Sequence, residues 1–152
     1  MSEARLVGMN HVAIEVGDID AAVRWYERLF AFELRGRTDT KAFIDMGDQF
    51  LALAETPEAG RDTDRARHIG LVVDDRQAVE RAIDADGVER LDTRGLDVRD
   101  PWGNRLQIVA YEDIQFTKTG HVLDGMGLGH LDKSDEAIAE LAEKGMASDP
   151  SR

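Results

Sequence analysis

Two stretches of this chain repeat one another and limit what it can fold into. Met9-Asn10-His11-Val12-Ala13-Ile14-Glu15-Val16-Gly17-Asp18 and Arg67-His68-Ile69-Gly70-Leu71-Val72-Val73-Asp74-Asp75 each set a histidine at the head of an apolar strand and close on an acidic turn. The histidines stand 57 positions apart, and Val16 and Val73 keep the same offset. A period of that length is too long for one hairpin, and two copies are too few for a solenoid, so the pattern predicts two tandem α+β modules. Two histidines at equivalent places could then meet at a shared centre.

The first copy alternates, with Val12, Ile14 and Val16 on one face of the strand and His11, Ala13 and Glu15 on the other. Asp18 is a candidate N-cap, and Ala21, Ala22, Trp25, Leu29 and Phe30 recur at helical spacing after it. Strands are expected at Phe32 to Arg37, Lys41 to Met46 and Gln49 to Ala54, which makes module one (about 6–55) β-α-β-β-β. Residues 56–66 are polar, hold Pro57 and Gly60 and show no periodicity, as a linker would.

Module two (about 67–111) repeats the order. A strand at His68 to Val73 leads to a helix from about Asp75 to Asp86, stopped by Gly87, and then to strands near Val88 to Leu91, Leu96 to Arg99 and Arg105 to Ala110. Asp100-Pro101-Trp102-Gly103-Asn104 is the turn before the last strand. Beyond it, 112–152 forms a C-terminal extension. Its glycine-broken loop carries His121 and His130, a helix is expected over about 134–145 behind Ser134, and Ala147 to Arg152 should fray.

Charge narrows the possible partners. The chain has 31 acidic against 19 basic residues, a net −12, with the acids scattered among apolar positions, which disfavours direct binding to nucleic acid or an anionic membrane, since phosphate binding needs a basic face. The absence of cysteine excludes disulfides, zinc–thiolate sites and thiol nucleophiles. The N-terminus has no signal-peptide pattern and no apolar run reaches the ~20 residues of a spanning helix, so a cytoplasmic protein is expected.

With Asn10-His11-Val12 and Arg67-His68-Ile69-Gly70 opening two βαβββ modules, and Asp100-Pro101-Trp102-Gly103-Asn104 before the last strand, the chain resembles the vicinal oxygen chelate superfamily. That group holds glyoxalases, extradiol dioxygenases and bleomycin-resistance proteins. The resemblance covers 6–111 and implies a cup-shaped mixed sheet built by both modules, usually in a homodimer. It also implies a divalent transition metal (Fe, Mn, Ni, Co or Zn) held from the first and last strands of each module. On this pattern the metal ligands are His11, His68 and Gln107, and Ala52 stands where the fourth ligand, usually glutamate, would be. From the residues alone, each histidine could equally be a strand residue satisfied by a backbone carbonyl.

A glutamine still offers an oxygen but contributes no charge and cannot act as a base, and Ala52 contributes no donor at all. Glu15, on the face of His11, is the candidate carboxylate to make up that deficit and to act catalytically. Trp102, His121 and His130 are candidate substrate-binding residues. The resemblance therefore implies a metal-dependent small-molecule enzyme of lyase, isomerase or dioxygenase type with a divergent metal site. The alternative is a metal-free protein that binds a small molecule or sequesters an antibiotic, as the bleomycin-resistance members do.

Overall fold

The computed structural model describes residue 4, residues 9–61 and residues 66–146. The expected strand residues 6–8, the middle of the linker and the C-terminal tail from 147 lie outside the described residues. The chain is α+β, and it divides into two units: one of residues up to 63 together with 101–104, the other of 64–100 and 105–152.

The first unit carries β1 (His11–Val16), α1 (Ile19–Leu29), β2 (Leu34–Arg37), β3 (Lys41–Asp45) and β4 (Phe50–Glu55) in a sheet of order β1-β4-β3-β2. β1 pairs parallel to β4, and the other pairings are antiparallel. Helix α1 begins where expected, because the Asp18 carboxylate accepts from Ala21 N at 2.7 Å. Glu55, at the end of β4, accepts from Ile19 N at 2.8 Å, which places a second carboxylate at the positive end of the helix. The helix buries Ile19, Ala22, Val23, Trp25, Tyr26 and Leu29. Ile14, Val16, Ala42, Ile44, Leu51 and Leu53 of the sheet are buried as well.

The second unit repeats the plan with β5 (Ile69–Val73), α2 (Arg76–Asp86), β6 (Leu96–Arg99) and β7 (Arg105–Ala110), in the order β5-β7-β6. β5 pairs parallel to β7, as β1 does to β4, so the sequence repeat is also a repeat of topology. Asp75 caps α2 through Ala78 N at 3.0 Å, and Gly87 ends it at φ 66°, a left-handed conformation that favours glycine. Val79 and Ile83 are the buried residues of α2, and Leu71, Leu96, Val98, Leu106 and Ile108 of the sheet are buried too.

One expected strand is absent. Val88 to Leu91 forms no ladder and makes only an isolated bridge, Arg90 to Val98, with Leu91 N on Asp97 O at 2.8 Å. The sequence explains it: Arg90 turns back to Asp84 at 2.9 Å, and Asp92-Thr93-Arg94-Gly95 carries no apolar alternation to extend a pairing. The second sheet therefore has three strands where the first has four.

Beyond β7, a 3-10 turn (Tyr111–Asp113) leads to α3 (Gly120–Gly125) and α4 (Asp135–Glu143), the latter capped by Ser134 as expected. Helix α3 was not expected, since the glycines at 120 and 125 read as breakers. They fall at its first and last positions, where a short helix tolerates them. No helix among the described residues is long and apolar enough to cross a membrane.

Candidate functional site

The open face of the first sheet follows from its register. Residues opposite one another on adjacent strands share a face, so the side of β1 that carries His11, Ala13 and Glu15 continues across the sheet in three rows. The first is His11, Phe50 and Asp45; the second is Ala13, Ala52, Phe43 and Gly36; the third is Glu15, Ala54 and Lys41.

The first row is aromatic. The His11 imidazole stacks on the Phe50 ring at 4.7 Å between centroids and 9° between planes, and Phe43 meets Phe50 edge-on at 5.8 Å. Arg35 lays its guanidinium 5.0 Å from the Phe50 centroid and is held there by Asp45 at 3.1 Å and Gly47 O at 2.6 Å. The middle row carries two methyl groups and a glycine beside Phe43; Ala13 is exposed, and Ala52 is buried at 7% exposure. The third row is charged.

His11 Nδ1 bonds Asn10 Oδ1 at 2.9 Å, and His68 Nδ1 bonds Ala66 O at 2.9 Å. A carbonyl can only accept, so Nδ1 of His68 is the donor in this bond and Nε2 is turned away from it. His11 is placed the same way. Both histidines are exposed rather than core residues.

Gln107 lies in β7 between Gly70 of β5 and Asp97 of β6, on the wall of a cavity of about 140 Å³ that Arg76, Arg94, Gly95 and Val109 also line. Its amide nitrogen points to Asp97 Oδ1 at 3.5 Å. Asp97 has no exposed surface, and Arg105 binds its Oδ2 through Nη2 at 2.6 Å and Nε at 2.8 Å. Gly95 is needed beside this group, because a Cβ there would fall 2.9 Å from Asp97 Oδ1 and 3.1 Å from the Gln107 amide nitrogen.

Glu15 is on the face of His11, four residues along a regular strand, a rise of about 13 Å. Its backbone oxygen accepts from Asn104 Nδ2 at 2.8 Å. The Trp102 indole packs on Gly17, where any Cβ would meet its Nε1 at 2.4 Å. His121 opens α3 with Nε2 at 3.5 Å from Thr119 Oγ1, and His130 is exposed in the turn that follows.

As a donor set for a divalent ion, these residues fall short. They comprise two imidazoles, an amide whose nitrogen points to a buried carboxylate, and a methyl at 52, and none of the four carries a negative charge to offset a +2 ion. Among the described residues no three His, Asp or Glu side chains are grouped to hold a metal. The Phe50, Phe43 and Arg35 cluster was not foreseen, because only the parallel β1–β4 register sets Phe50 beside His11.

The family model described as Glyoxalase/Bleomycin resistance protein/Dioxygenase superfamily matches residues 8–108. Solved structures similar to the chain include a glyoxalase/bleomycin resistance protein/dioxygenase from Alicyclobacillus acidocaldarius, at 20% identity and TM-score 0.53, covering 68% of this chain and 90% of that one. A lactoylglutathione lyase from Agrobacterium tumefaciens matches at 20% identity and TM-score 0.51, covering 70% and 96%. A genomically encoded fosfomycin resistance protein from Listeria monocytogenes matches at 15% identity and TM-score 0.59, covering 70% and 92%. At such identities the likeness is one of fold.

Proposed function

The chain belongs to the Glyoxalase/Bleomycin resistance protein/Dioxygenase superfamily, and on that premise we propose that it binds a small planar molecule on the open face of its first sheet without a resident metal. The observation that carries this is the pairing of a middle row whose side chains, Phe43 apart, are only the methyls of Ala13 and Ala52 and Gly36, with a neighbouring row in which His11 stacks on Phe50, Phe43 meets Phe50 edge-on and Arg35 lies over the Phe50 ring. Methyl groups leave room where a longer side chain would fill it, and a planar ligand gains about 0.5–1.5 kcal/mol from each aromatic contact beyond the area it buries. A homodimer in the cytoplasm, acting on small molecules alone, is part of the same proposal.

The second reading is a metal-dependent lyase, isomerase or dioxygenase using His11, His68 and Gln107. It is favoured by the Nδ1 bonds of both histidines, the usual way a ligating imidazole is oriented. Titration with 8-anilinonaphthalene-1-sulfonate, a planar aromatic probe, separates the two. The expected result is saturable binding that EDTA leaves unchanged and that Phe50→Ala weakens about tenfold. Binding lost in EDTA and restored by a divalent ion would favour the second reading.

A further inference from the structure

We propose that Lys133 is an internal latch, whose ammonium holds residues 117–146 against the segment that follows β7 and releases them when its hydrogen-bond donors are removed. An ammonium group has three donors and no acceptor. Here Nζ of Lys133 donates to three backbone carbonyls, those of Tyr111, Ile114 (3.0 Å) and Phe116, so every donor is used. The same nitrogen sits 3.4 Å from the centroid of the Tyr111 ring, itself buried. Burial lowers the Lys133 pKa from its ordinary value.

Ala137 is the buried residue of α4 and Leu123 that of α3; Val122, Met126, Leu128, Leu131 and Leu141 are half-buried, and Ile138 is exposed. The remaining polar ties converge on the same segment: Ser134 N on Glu112 O at 2.9 Å, Gln115 Nε2 on Glu140 at 2.6 Å, and Lys144 on the Gln115 amide oxygen. Among these ties Lys133 makes the most hydrogen bonds to the segment after β7, so its ammonium is the contact whose loss should open the extension.

Hydrogen exchange on the full chain tests this. In Lys133→Met, which keeps the length and loses the donors, amides in 117–146 should exchange at least about tenfold faster while those of β1 to β7 keep their protection. In Lys133→Ala, methylammonium chloride should restore part of that protection, and sodium chloride at the same ionic strength should not, since only the former brings N–H donors to the carbonyls. Unchanged exchange in 117–146, an increase shared equally by β5 to β7, or rescue by both salts alike would overturn the proposal. If Lys133→Met does not fold, the comparison of salts on Lys133→Ala decides it.

Discussion

Gln107 faces a carboxylate with no exposed surface, and its amide nitrogen is the group that can approach it. A glutamate in its place would set one carboxylate against another beside Asp97, raising the pKa of the new group. Gln107→Glu is therefore expected to destabilise the chain by about 1–3 kcal/mol at neutral pH. The folded state of that variant binds its proton more tightly than the unfolded state, so the deficit should shrink as pH falls through the raised pKa, and urea titrations at two pH values check it. Arg105→Ala should cost more, about 3–5 kcal/mol, because it leaves Asp97 buried without its partner. The exposed pair Arg35–Asp45 should contribute less than about 1 kcal/mol to stability. In the sequence Asp45 and Asp97 are both acids inside strand segments, and only the pairing shows that Asp97 is the buried one.

Among the elements, what was legible is what local chemistry decides. Asp18 and Asp75 announced both helix starts and Gly87 a helix stop, since a cap needs only its own few residues. Asp18→Ala should cost about 1 kcal/mol in thermal or urea unfolding. The Val88 to Leu91 strand failed because pairing depends on a partner the sequence does not name, and the stacking of Phe50 on His11 was hidden for the same reason. Helix α1 is further tied to β2 by Arg37 and Asp20, and the hydrogen bond and charge of Arg37 hold the Asp20 carboxyl below its usual range. Its stabilisation is full above the ordinary aspartate pKa and is lost as pH falls through the lowered one, so Asp20→Asn should flatten the acid limb of the stability curve.

For the whole molecule, the repeat of a histidine-led strand read in the sequence returns as a repeat of topology, each first strand pairing parallel with the last of its module. Family membership follows from residues 8–108, and the chemistry does not. What separates this chain from the family's metal-dependent pattern is its donor set: two imidazoles without a carboxylate, an amide committed to Asp97, and a methyl at 52 beside an aromatic row. Elemental analysis of the purified protein, after dialysis against Fe(II), Mn, Ni, Co and Zn, tests that difference most directly. No stoichiometric ion is expected in the wild type, in His11→Ala or in His68→Ala. One tightly held ion per chain, lost in either variant, would contradict it.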